Sequence, residues 1–146
     1  MPGKTYIDAA GDAPDSQIGA SLDVLAGTIH ARSAAGEESY TYRLLNGPLD
    51  TLVKKLMEEA GEVALAAKEA DMLDAYSNSD ALYDAALDHL RYEAGDVIYH
   101  LLVILERYGI PTDELAAEMN SRMTDDEISI HPGMVRLQPE HVNRGK

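Results

Sequence analysis

There is no cysteine anywhere in the 146 residues. Disulfides and thiolate metal sites are excluded, and the chain suits a reducing compartment, so a cytoplasmic location is expected. Basic residues are scarce: 12 Lys and Arg stand against 26 Asp and Glu, a formal charge of −14. A field of that sign repels nucleic acid and anionic membrane surfaces, so neither is an expected partner. A polyanionic ligand would have to be held locally, by bound metal and a few placed cations. Long apolar runs are missing too. The longest, Val97 to Leu105, is about half of what a membrane span needs. The N-terminal Met1-Pro2-Gly3-Lys4-Thr5-Tyr6-Ile7-Asp8 lacks the apolar core of a secretory signal. No internal repeat and no strong strand alternation is present.

What remains is helical periodicity. The length suits one domain with a real core. Residues 1–15, with Pro2, Gly3, Gly11 and Pro14, read as a loose leader. Residues 16–123 read as one all-α domain of four to five helices, and residues 124–146, with Pro132-Gly133 and Pro139, as an extended tail that could lie on a neighbouring subunit. Within the domain, Asp15-Ser16 can cap a helix carrying Ile18, Leu22, Leu25 and Ile29 that stops near Ser33–Gly36. Ser39 to Leu45 forms a short helical turn ended by Asn46-Gly47. Pro48 suits the first position of the next helix, expected to run to about Ala70. Leu49, Leu52, Val53, Leu56, Ala60, Val63, Ala64 and Ala67 share one arc of it. Residues 71–80 are polar and turn-prone, although Leu73 and Tyr76 could continue the helix. A long helix follows from about Ala81 to Tyr108, with Gly109 at its C-terminal cap and Pro111 beyond. Thr112 is placed to cap a last helix to about Met123, with Asp113 and Glu114 in its first turn.

Two acidic clusters interrupt this apolar pattern. The first is Glu58-Glu59-Ala60-Gly61-Glu62; the second is Glu93-Ala94-Gly95-Asp96, followed by Tyr99-His100. Glu59 with Glu62, and Glu93 with Asp96, are spaced three apart and share a helix face. On a wheel of about 100° per residue the first pair flanks the apolar arc, at the border between core and solvent. Acids at the mouth of the apolar Val97–Leu105 run are costly to bury unless something positive sits between them. Carboxylates converging from two helices are a cage for a hard divalent cation, here Mg²⁺, with Mn²⁺ as an alternative. Di-iron bundles need two Glu-x-x-His pairs; here the histidine follows Asp96 by four and the first cluster has none. Gly61 and Gly95 inside the same helices suggest close helix–helix approach at the site.

Such a cage suits phosphoanhydride hydrolysis, which needs charge neutralised on phosphoryl oxygens, a water aimed in line and the leaving group stabilised. Glu59, Glu62, Glu93 and Asp96 are assigned to the metal, and Glu58 to orienting or deprotonating the water. Arg32, Lys54, Lys55 and Arg91 are cations that could meet phosphate oxygens, and His100 has a hydrogen-bonding or substrate-contact role. A single acid pair of this spacing is usually a solvated face, so a silent helical dimerisation module is the bland rival.

These residues also resemble a family. Arg32, then Ser39-Tyr40-Thr41 with Leu44, then Lys54-Lys55-Leu56-Met57-Glu58-Glu59-Ala60-Gly61-Glu62-Val63, then Glu93-Ala94-Gly95-Asp96-Val97-Ile98-Tyr99-His100-Leu101-Leu102-Val103, closed by Arg122 after Glu118-Met119-Asn120, resemble phosphoribosyl-ATP pyrophosphohydrolase over about residues 21–123. The double-Glu segment alone would suggest only the wider all-α NTP pyrophosphohydrolase superfamily. The resemblance implies Mg²⁺-dependent hydrolysis of phosphoribosyl-ATP to phosphoribosyl-AMP and pyrophosphate in histidine biosynthesis. It implies an all-helical fold and an interlocked homodimer whose site draws on both chains. It carries the metal role onto Glu59, Glu62, Glu93 and Asp96, the extra acid onto Glu58, and phosphate contacts onto Arg32 and Lys54 or Lys55. The alternative in the same class is a house-cleaning enzyme acting on dUTP, dCTP or another nucleotide. The two acid motifs are further apart than the family leads one to expect, with the surplus in Ala70–His89 as a loop or extra helical turns.

Overall fold

A computed structural model describes residue 7 and residues 9–142; the first half of the expected leader and the last four residues of the expected tail lie outside the described residues. The described residues contain six α-helices and no strand: α1 Gln17–Ala31, α2 Tyr40–Asn46, α3 Leu49–Tyr76, α4 Asp80–Arg107, α5 Thr112–Asn120 and α6 Asp125–Ser129. No helix among them is long and apolar enough to cross a membrane.

Local chemistry sets the helix starts. Ser16, Ser39 and Ser79 each accept a hydrogen bond from the amide three residues on, at 3.1, 3.3 and 3.3 Å, which satisfies one of the free donors of a first turn. Pro48 sits one residue earlier than its expected position, as the cap of α3 with extended ψ of 134°. Thr112 is likewise the first residue of α5 rather than its cap; Pro111 takes the cap position and makes no side-chain bond. At the end of α4, Gly109 adopts φ +66°, and the amides of Gly109 and Ile110 close back on the carbonyls of Glu106 and Leu105 at 3.0 and 2.9 Å. That is a Schellman turn, and it needs the left-handed residue glycine supplies.

The framework is the antiparallel hairpin of α3 and α4, joined by Ser77–Ser79. The expected loop near residues 71–80 is therefore confined to Ser77–Ser79, with Leu73 and Tyr76 continuing α3. Along the seam, Leu52, Glu59 and Ala66 of α3 are buried, seven residues apart, as are Ala86, Glu93 and His100 of α4. Heptad spacing is the mark of two helices meeting along one narrow line. It corrects the broad apolar arc read for α3: Val53, Ala60, Ala64 and Ala67 are exposed, and Glu59 lies in the seam itself instead of on its flank.

One end of the hairpin is covered. There α1 and α2 pack on α3 and α4, and Ile29, Leu44, Leu52, Leu102 and Val103 form the core, with Leu22, Leu25 and Leu45 against it. Ile18 shares the spacing of Leu22, Leu25 and Ile29 but lies outside that cluster, 62 % exposed. Beyond Asn120 the chain turns back: Asn120 Nδ2 donates to the Val135 carbonyl at 2.8 Å, and the Leu137 amide donates to Ser121 Oγ at 2.9 Å. The short α6 in between is set by a capping box of Thr124 and Glu127, a signal present in a stretch read as aperiodic.

Candidate carboxylate site

The seam places two acids where a pair of helices normally meets through alanine or leucine. Glu59, near the middle of α3, and Glu93, near the middle of α4, are 8 % and 6 % exposed. With half-buried Asp96 they each offer an oxygen, and those oxygens lie within 4.8 Å of one another. Burial is the larger reason that the Glu59 carboxyl is pushed up to about 7; hydrogen bonding to Glu62 and Glu93 and the charge of Asp96 add to it. Like charges this close cannot all ionise without a counter-charge. Glu93 accepts from His89 Nε2 through Oε1 at 2.9 Å, while its Oε2 is buried without a partner. A hydrogen bond between Glu59 and Glu93 requires that one of the two keep its proton, and a cation at the cluster would give the orphaned oxygen a partner. An orphaned, buried carboxylate oxygen in an all-oxygen donor set fits a hard dication.

The sequence-predicted residues separate into those at this cluster and those away from it. Glu62 touches it through Glu59, from a half-buried position. Glu58 does not join it; it is exposed and pairs with Lys55 at 3.4 Å. That pairing is the main reason the Lys55 ammonium is held above its usual range, and Lys55 also feels Tyr40 and Glu59. Lys54 is exposed in an open hollow with Asp50, Val53, Met57 and Glu58. Arg32 is exposed in the 3-10 turn after α1. Arg91 pairs with Asp88 at 2.6 Å, about 200° around the helix from Glu93 by its two-residue offset.

His100 is 4 % exposed and has both nitrogens engaged. Nδ1 donates to the Asp96 carbonyl at 2.9 Å, which leaves Nε2 to accept from the Tyr40 hydroxyl at 3.2 Å. Beside it Thr41 Oγ1 and the Tyr99 hydroxyl share a 2.6 Å bond. This network ties α2 to the turn of α4 that carries Asp96. Burial raises the Tyr40 phenol, Lys55 opposes the shift, and Glu59 and Asp96 add to it, so the hydroxyl lies within the field of the acids. Tyr40, 44 % exposed, and His89 are the neighbours of the site that sequence reasoning did not single out. Tyr40 stood in the Ser-Tyr-Thr element without a role. His89 had a usable signal, its place one turn before Glu93.

Comparison with known proteins points one way. Residues 22–123 match the family described as Phosphoribosyl-ATP pyrophosphohydrolase. A phosphoribosyl-ATP pyrophosphatase of Rhodopirellula baltica is 40 % identical over 102 residues, covering 69 % of this chain and 75 % of that one. One from Methylobacterium nodulans is 38 % identical over 102 residues, covering 69 % and 81 %. A histidine biosynthesis bifunctional protein of Deinococcus radiodurans is 37 % identical over 112 residues, covering 76 % of this chain but 44 % of the larger protein. No solved structure matches.

Proposed function

This chain belongs to the phosphoribosyl-ATP pyrophosphohydrolase family, and from that membership we propose that it hydrolyses phosphoribosyl-ATP to phosphoribosyl-AMP and pyrophosphate, a step of histidine biosynthesis, at the acids of the α3–α4 seam. The observation that carries the site assignment is the meeting of Glu59, Glu93 and Asp96 within 4.8 Å, with one buried carboxylate oxygen left unpartnered. Glu59, Glu93 and Asp96 hold Mg²⁺, with Glu62 completing the donor set from the margin. The ion supplies neutralisation of the charge that builds on the phosphoryl oxygens.

The protein's own groups do the rest. Glu58, on the solvent side of the same turn, orients the attacking water and accepts its proton. Lys55, paired with Glu58 and within the electrostatic reach of the Tyr40 hydroxyl, meets the phosphates, with Lys54 beside it in the sequence. His100 acts through Tyr40, holding its hydroxyl at the rim of the site. Arg32 and Arg91 are the further phosphate contacts, and Arg91, turned away from Glu93 on its own helix, serves the site of a second subunit. A homodimer supplies that subunit. The half of the hairpin left uncovered by α1 and α2 exposes Leu65 at 72 %, Met72 at 54 %, Tyr76 at 88 %, Leu82 at 56 % and Tyr92 at 68 %. Large apolar side chains left this exposed support an interface on that part of the hairpin.

The test is pyrophosphate release from phosphoribosyl-ATP, with and without Mg²⁺, beside a panel including dUTP and dCTP. Release from phosphoribosyl-ATP that requires Mg²⁺ is expected. Faster turnover of a free nucleotide would transfer the protein to the house-cleaning class. Glu62→Gln and Asp96→Asn are each expected to lower kcat by at least about 100-fold, on the scale of losing an electrostatic catalytic group, with helical circular dichroism unchanged. Near-wild-type turnover in either variant removes that residue from the site.

A further inference from the structure

The two oxygens of Glu93 have different fates. Oε1 accepts a hydrogen bond from His89 Nε2 at 2.9 Å, and Oε2 is buried and unpartnered. The histidine sits one helical turn before the glutamate, so their side chains stack on one face of α4. The His89 side chain is 50 % exposed while that of Glu93 is 8 % exposed. The imidazole thus caps the carboxylate from the solvent side.

We propose that His89 is a positioning residue for the metal site: its Nε2–H fixes the Glu93 carboxylate so that Oε2, not Oε1, is presented to the cation. The inference rests on the metal reading given above. A glutamate has three rotatable side-chain bonds, and a ligand that must find its rotamer at each binding event binds less tightly than one already held. Ligating carboxylates are commonly held by such outer hydrogen bonds, and losing one typically weakens metal affinity by about 10- to 100-fold. The other histidine–carboxylate pair, His30 Nδ1 with Glu106 Oε1 at 2.7 Å, joins α1 to the far end of α4. It serves as the control.

The experiment is Mn²⁺ titration of the full chain without substrate, followed by calorimetry and by the paramagnetic signal of free Mn²⁺. The proteins are wild type, Glu93→Gln, His89→Ala, His89→Gln and His30→Ala. His89→Ala is expected to weaken Mn²⁺ binding by about 10- to 100-fold, with its metal-free melting curve close to that of wild type. His89→Gln, whose amide nitrogen can still donate to Oε1, restores most of the affinity, and His30→Ala leaves it unchanged. Wild-type affinity in His89→Ala overturns the proposal. So does a loss in His89→Gln as large as that in His89→Ala, or an equal loss in His30→Ala. If the wild type itself binds no Mn²⁺, or Glu93→Gln binds as well as wild type, the metal reading falls and this inference with it. If Glu93→Gln abolishes binding and His89→Ala does not weaken it, the inference alone falls.

Discussion

Glu59 is buried in surroundings that oppose its charge, and its carboxyl is raised from 4.5 to about 7. Between those values the folded protein keeps a proton that the unfolded chain has released. Stability therefore falls as pH rises through that window, because the native state binds more protons there than the unfolded state. This is the reverse of the usual salt-bridged acid. The metal-free protein, melted in chelator, is expected to lose thermal stability from pH 5 to pH 8. Glu59→Gln, which keeps a neutral donor in place, should flatten that slope, and Mg²⁺ should restore stability most strongly at the alkaline end. A metal-free melting temperature that rises steadily over this range contradicts the burial of the acids. The acid spacing was visible in the sequence, since residues three apart on a helix must share a face. Burial of Glu59 was not, because a wheel ranks faces by composition and cannot know that α4 brings a matching glutamate to the same level.

At the scale of the element, α2 is too short to hold itself together, and its last carbonyls are satisfied from outside. Arg107 Nη1 donates to the carbonyls of Leu44, Leu45 and Gly47 at 3.1, 3.2 and 2.9 Å. A cation at a helix C-terminus also meets the negative end of the macrodipole. Hydrogen bonds to charged groups contribute about 1.5–3 kcal/mol, so Arg107→Met is expected to lower the stability to urea by about 2–3 kcal/mol. Because α2 carries Tyr40 and Thr41 to the site, KM for the substrate should rise in the same variant. Urea curves that superimpose on wild type would show the cap to be dispensable. The helix itself was legible from Ser39 and Asn46-Gly47. Its external cap was not, since Arg107 lies some sixty residues away in sequence. Thr112 has the right chemistry for a cap, but Pro111 before it already holds the extended backbone that the cap position requires.

For the whole molecule, the described chain leaves much of its hairpin without a third layer. In the dimeric reading, that face is closed by a second copy. Leu65→Glu combined with Met72→Glu is expected to convert a dimer to a monomer by light scattering at micromolar concentration. The concentration dependence of melting should disappear with it. Unchanged mass in the double variant would place the interface elsewhere. Gly61 and Gly95 bear on the same question. An added Cβ at either meets nothing within 4 Å, so the close approach suggested by the sequence does not occur within one chain.

The sequence by itself determined that the chain is helical, where most helices begin, and that two acid pairs sit three residues apart on two of them. These are local matters, settled by capping side chains, periodicity and the absence of strand patterning. Only the tertiary structure decided that the acids of α3 and α4 face each other at one level of a narrow seam, that His100 is spent on Asp96 and Tyr40, and that His89 reaches Glu93 while Arg91 turns away. The physical reason is register. Each helix fixes its own faces, but which residues meet across two helices depends on how the pair slides and rotates, and that follows from packing along the whole hairpin.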